Sequence, residues 1–255
     1  MSRQVVGRVL GVMLFAAGGL AAQAKPADTV NVTVGSSVVD FSSHQPGATR
    51  TVQDVTMGGN KRSMPPVIWS FRFEDAGGRK KLIVSVAPED TTTRGPAMPV
   101  FVFDRKTLAL LELRDRTTGA PTLTVKDTRI TGTLNGPNGA MPVDMTLARP
   151  AFLGMLADLV AESLPRKLGV VYRVPLWMPG SPTVADHLYQ FVRRESITVL
   201  GKTYPNAWVM EDRSADGATL HGTMWLVDGP PELVRWVINQ PNGVINLDQA
   251  AAQRG

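Results

Sequence analysis

The sequence predicts a mainly β protein: a curved, antiparallel, partly open β-barrel with one long helix packed on its concave side. Between Val67 and Leu247, apolar and polar residues alternate in short runs, the two-residue period of a strand with one wet face. Clusters of Gly, Pro, Asn and Asp separate those runs by only a few residues. Links that short join antiparallel neighbours, because a parallel crossover needs about a dozen residues or more. One stretch, Arg149 to Pro165, is spaced as a helix instead. It has proline at its first turn, a wide apolar face of Phe152, Leu153, Met155, Leu156, Leu159, Val160 and Leu164, and a narrow polar seam at Gly154, Asp158 and Glu162.

Residues 1–24 read as a signal peptide rather than as part of the fold. Arg3 and Arg8 precede an uncharged apolar run from Val9 to Ala22, and Ala22-Gln23-Ala24 is a small-x-small cleavage site. A membrane anchor is the competing reading, but the run is shorter than the ~20 residues a spanning helix needs. The expectation is therefore a periplasmic protein that begins at Lys25 and does not span the membrane after cleavage. With no cysteine in the chain, lipid attachment lacks its nucleophile, and disulfides and thiol catalysis are excluded as well.

The mature chain divides into three parts. Residues 25–66 form a strand and loop-rich segment, with a first strand at Thr29–Val34 and a surface loop over Ser42–Pro66 holding one short strand near Arg50–Val55. Residues 67–248 form the barrel, and 249–255 a flexible tail. Within the barrel, Trp69, Phe71 and Phe73 alternate with polar residues. The chain turns at Asp75-Ala-Gly-Gly78, and Leu82, Val84 and Val86 answer from the returning strand as a hairpin with one buried face. Further strands are expected at Val100–Phe103, Thr107–Arg116, Thr122–Val125, Arg129–Leu134 and Val143–Leu147, and after the helix at Val170–Trp177. The series ends with Asp186–Leu200, Ala207–Glu211, Thr219–Val227, Leu233–Ile238 and Val244–Leu247. About twelve strands cannot lie flat, so the sheet curls; a two-sheet sandwich is the rival arrangement.

The formal charge is +5, and removing Arg3 and Arg8 with the leader leaves 25 basic against 22 acidic residues. Arg79-Lys80-Lys81, Lys61-Arg62 and Arg193-Arg194 are short clusters of the kind that mark solvated turns and strand faces, so no nucleic-acid partner is expected. The three histidines, His44, His187 and His221, have no metal-ligand spacing. Ser181, Asp186 and His187 lie close in sequence, but a triad is defined by spatial roles and no Gly-x-Ser-x-Gly elbow is present. The adjacent pairs Glu74-Asp75, Glu89-Asp90 and Glu211-Asp212 would point to opposite faces of a strand. No catalytic residue, metal ligand or cofactor is predicted.

The aromatic residues are the remaining signal. Trp69, Trp177, Tyr189, Trp208, Trp225 and Trp236, with Phe71, Phe73 and Phe191, are core in a closed barrel, whereas a half-open one lets some of them line a ligand groove. Trp177, Tyr189, Trp208, Trp225 and Arg193 are the candidate ligand-binding residues. Trp177 is expected at the rim, between Pro175 and the Pro179-Gly180-Ser181-Pro182 loop. Arg193-Arg194-Glu195 interrupts the alternation of its strand, marking either a bulge with a wet face or a charge at the groove's mouth.

Several short segments resemble a bacterial periplasmic family known only as a domain of unknown function, whose half-open barrel is like that of lipoprotein-carrier (LolA/LolB-like) proteins. They are Phe103-Asp-Arg-Lys-Thr-Leu108, Ser163-Leu-Pro165, Leu168-Gly169 before Tyr172, Glu195 to Tyr204 before Ala207-Trp208, Met224-Trp-Leu226, and Arg235-Trp236. Arg166 departs from that pattern, where the family often has leucine. The resemblance implies a fold and a compartment, and no established chemistry. Residues and resemblance together predict an exported, non-catalytic protein that binds an apolar ligand, lipid or lipidated peptide. The alternatives are an envelope scaffold that pairs with a partner protein, and an exported hydrolase with an unrecognised site.

Overall fold

In the computed structural model, residues 28–39, 41, 45–90, 92, 98–136, 139–230 and 232–252 are described. The proposed leader, His44 and the last three residues lie outside them. The described residues form one sixteen-stranded sheet. Its first half comprises β1 (Asp28–Asn31), β2 (Gly47–Met57), β3 (Asn60–Ala76), β4 (Arg79–Pro88), β5 (Val100–Asp104), β6 (Leu110–Arg114), β7 (Pro121–Lys126), β8 (Arg129–Gly136) and β9 (Gly139–Thr146). Next come the two-residue β10 (Phe152–Leu153), a 3-10 turn (Gly154–Leu156) and helix α1 (Ala157–Glu162). The second half is β11 (Val170–Trp177), β12 (Val184–Val199), β13 (Lys202–Ser214), β14 (Leu220–Leu226), β15 (Leu233–Gln240) and β16 (Gly243–Ala251).

Sequential strands pair antiparallel from β2 to β9 and from β11 to β16. The halves are joined by β16, which pairs antiparallel with β2 from Gly243 opposite Met57 to Ala251 opposite Thr49. At one end the sheet stops at β9; at the other, β1 and β10 both pair parallel with β11. The sheet is thus a partly open barrel, as expected. One continuous apolar cluster fills its concave side, gathering Phe101 and Leu123 from the first half, Tyr172, Phe191 and Met224 from the second, and Leu156, Leu159, Val160 and Leu164 from the α1 region. The aromatic hairpin has the predicted register, with Trp69 opposite Val86, Phe71 opposite Val84 and Phe73 opposite Leu82.

Three local expectations differ. The flexible tail expected from residue 249 is strand as far as Ala251, because β16 keeps its ladder to β2 through Thr49 and buries Gln249. The helix is much shorter than the Arg149–Pro165 pattern suggests, because Phe152 and Leu153 are taken up as a strand beside Leu176 and Trp177. Burial of that apolar pair against β11 outweighs local helix propensity. Over 42–66, where a loop with one short strand was expected, β2 has 11 residues and β3 has already begun at Asn60. Pro65 and Pro66 are tolerated within β3 because the ladder to β2 slips there, with Thr51 facing Val67 and Gln53 facing Met64. Similar shifts flank Arg193 to Glu195, between Phe191 and Arg193 and again between Glu195 and Ile197, so the broken alternation there is a bulge. At Gly132, φ is +138° and a Cβ would stand 2.1 Å from the Thr122 carbonyl oxygen, so only glycine lets β7 and β8 approach this closely.

Candidate functional site

A cavity of about 640 Å³ lies between the concave face of β2, β3 and β16 and one face of α1. Ile68, Trp69 and Phe71 supply its apolar wall, and Phe41 with the Gln45 to Thr49 segment extends it. Thr49, Gln249 and Ala251 join from the β2–β16 ladder, and Gly229, Pro230 and Glu232 from the turn before β15. That volume falls within the range of pockets that hold small organic ligands.

Helix α1 faces the cavity with Asp158 and Glu162. They are four residues apart and therefore share one side, while Ala157, Leu159, Val160 and Ala161 are buried on the other. Both residues are half-buried, and surrounding protein removes much of the water from their carboxyls. Desolvation pushes the Asp158 carboxyl up to about 6, opposed by the Leu159 backbone N–H. Desolvation likewise raises Glu162 well above the usual carboxylate range, helped by the neighbouring charges of Asp158 and Glu232 and opposed by the Leu233 N–H and Arg166. The Leu233 N–H donates to Glu162 Oε1 at 3.1 Å. Asp158 Oδ1 is buried and accepts no hydrogen bond among the described residues. Arg166 is the neighbouring cation, and it is engaged: Nη2 donates to Glu232 Oε2 at 2.7 Å, and Nη1 to the Val227 carbonyl at 2.8 Å and to Asp228.

The five candidate residues from the sequence are placed elsewhere. Trp177 is 2 % exposed, one of the largest fully buried side chains, so it belongs to the packed core and not to the rim. The pairing of Phe152–Leu153 with Leu176–Trp177 covers that end of β11. Tyr189 is fully buried; its hydroxyl has no partner among the described residues, and burial pushes it well above its ordinary value, with the charges of Asp212 and Asp158 adding to the effect. Trp208, 9 % exposed, packs edge-on to Phe191 and carries the Arg194 guanidinium 3.7 Å above its ring. Trp225 and Arg193 meet through Glu195, which accepts from Trp225 Nε1 and from Arg193 Nε, both at 2.7 Å. None of the five lines the cavity.

The Ser181, Asp186 and His187 set does not assemble. Asp186 pairs with Arg149 and Arg173, Ser181 Oγ accepts the Thr183 N–H, and His187 Nδ1 lies 2.7 Å from Asp212 Oδ1. Of the residues that do line the cavity, Trp69 and Phe71 stood in the aromatic set, and Asp158 and Glu162 were legible as a polar seam. Phe41, Gln249 and Glu232 carried no signal, since each comes from a segment with no periodicity of its own.

No family model matches the sequence, and no curated protein matches it. Among solved structures, the chain is similar to a β-barrel-like protein of the domain of unknown function DUF1849 from Brucella abortus, 9% identical over 81% of this chain and 96% of that one, with a TM-score of 0.45. It is also similar to a LolA superfamily protein from Nitrosomonas europaea, 13% identical over 88% and 95% of the two chains, with a TM-score of 0.32. A third is a hypothetical lipoprotein from Escherichia coli, 8% identical over 80% and 87%, with a TM-score of 0.26. Their descriptions are of the kinds named by the sequence resemblance, a domain of unknown function and a lipoprotein-carrier superfamily. Function has to come from the cavity.

Proposed function

We propose that this chain is an exported envelope protein that shelters an apolar chain, a lipid or the acyl group of a lipidated peptide, without catalysis. The observation that supports it is the cavity: about 640 Å³ walled by Phe41, Ile68, Trp69 and Phe71, inside a fold whose apolar core is otherwise continuous. Moving an alkyl chain out of water is worth about 0.8 kcal/mol per buried CH₂, from which association and ordering costs are subtracted, so a chain of modest length suffices for binding. Export rests on the Arg3/Arg8 start, the apolar Val9–Ala22 run and Ala22-Gln23-Ala24. Among the described residues no helix is long and apolar enough to cross a membrane. In this reading Trp177, Tyr189 and Trp208, members of the apolar cluster that also packs against Trp69 and Phe71, hold the cavity's shape from behind. Trp225 and Arg193, both tied to Glu195, do not line the cavity and touch no ligand in this reading.

A second reading, the envelope scaffold, draws on β9. This edge strand has a single neighbour, β8, and its Met141 is exposed, so it offers a free ladder to a partner strand.

Organic extraction of the natively purified protein, followed by mass spectrometry, is expected to recover an alkyl-chain molecule. The stripped protein is expected to bind saturated-chain probes with a change in tryptophan emission, through Trp69. A stripped protein that saturates with no chain contradicts the sheltering role and leaves the scaffold.

A further inference from the structure

Polar groups in the cavity are sorted by charge. Asp158, Glu162 and Glu232 all line it, and among the described residues no Lys, Arg or His does. Arg166, in the adjoining recess, has both terminal nitrogens engaged by Glu232, Asp228 and the Val227 carbonyl. That leaves Asp158, whose carboxyl is met only by the backbone N–H groups of Leu159 and of Asp158 itself, and whose buried Oδ1 has no hydrogen-bond donor among the described residues. Gln249 makes a second, independent point. It is 8 % exposed and lines the same space from β16, and its carboxamide, which enters no side-chain hydrogen bond among the described residues, is open to the cavity rather than sealed in protein. Buried acceptors without donors are costly, and natural proteins keep few of them without a reason. An acid-lined apolar cavity with one buried unmet acceptor, and a carboxamide opening onto the same space, is the complement of an amphiphile whose polar end is positive and rich in N–H donors.

We propose that the ligand is a cationic amphiphile, an alkyl chain ending in an ammonium group, with the chain against Ile68, Trp69 and Phe71 and the ammonium received by Asp158 and the Gln249 carboxamide. The proposal rests on the sheltering role and specifies the headgroup. A fatty-acid carboxylate is disfavoured, since it would meet the buried, unmet Asp158 Oδ1 and, among the described residues, no free cation. Asp158 is faced by Glu162 on its own helix, by Glu232 and Arg166, and by the hydroxyl of Tyr189; Asp212, whose charge also reaches Tyr189, is paired with His187. As pH falls through the range where Asp158 takes up a proton, its attraction for the ammonium is lost. A primary amine stays charged throughout, its pKa being near lysine's ~10.4.

The test compares decylamine, decanol and decanoate on the stripped full-length mature protein by isothermal titration calorimetry, below their aggregation concentrations. At pH 7.5 decylamine is expected to bind about tenfold or more tighter than decanol, the scale of a charge-assisted hydrogen bond, and decanoate weakest. That preference is expected to shrink at pH 5, and in Asp158→Asn at pH 7.5, with decanol affinity unchanged within about twofold. Gln249→Met, a second variant at the other receiving group, is expected to weaken decylamine selectively as well. Decanoate binding as tightly as decylamine, or an amine preference untouched by pH and by Asp158→Asn, overturns the headgroup assignment while decanol binding keeps the apolar role. Failure of all three chains to bind overturns both.

Discussion

Trp177→Ala is expected to cost about 3–5 kcal/mol of folding stability, the range for truncating a fully buried tryptophan. Its side chain is 2 % exposed within the continuous cluster, and its backbone is held on both sides, by Leu153 and by Val184. Removing the indole leaves a void that neither neighbouring strand can close without breaking register. Urea melts of parent and variant at constant m-value measure the difference. A loss below about 1.5 kcal/mol would return Trp177 to the rim, where its position between prolines first suggests it belongs.

Asp158→Asn is expected to stabilise the protein at pH 8, by about 1–3 kcal/mol. The folded pKa is raised from 3.8 to about 6 by desolvation. The proton on Asp158 therefore stabilises the fold fully below about 3.8, and that contribution is lost as pH rises through about 6. A rise of two units corresponds to about 3 kcal/mol, less what a buried carboxamide without full hydrogen bonding gives back. The advantage of the variant should close to near zero by pH 4. Parent and variant equal at pH 8 would mean that the carboxylate is solvated and that the acid-lined character of the cavity is lost. Retention of so costly a side chain is the pattern expected where stability is exchanged for binding.

What could be read from the chain depended on range. The β3–β4 register followed from Trp69, Phe71 and Phe73 because neighbouring strands joined by a tight turn express their pairing locally. The length of α1 did not, because Phe152 and Leu153 pair with Leu176 and Trp177, a contact between segments separated by the whole helix and its exit. Strand β2 was obscured for a related reason: most of its side chains are half-buried, so alternation is weak, and its partners are β3 and the far-off β16. The cavity inherits that difficulty. Asp158 and Glu162 were visible as one seam, but a seam reads as solvent-facing until the β2–β16 ladder is known to bring Gln249, Thr49 and Ala251 across from it. The five candidate residues followed from aromatic content, which marks a core as readily as a groove.

The sheltering role requires that an alkyl chain enter the space between α1 and the β2–β3–β16 face. Isotope-filtered nuclear Overhauser spectroscopy of the labelled protein with unlabelled decanol tests this directly. Cross-peaks from the chain methylenes to the Ile68 methyls and the Trp69 and Phe71 rings are predicted, with none to the Trp225 indole, which is bound to Glu195 away from the cavity. Cross-peaks confined to Trp225 and other surface side chains, or none at all with saturating decanol, would contradict it.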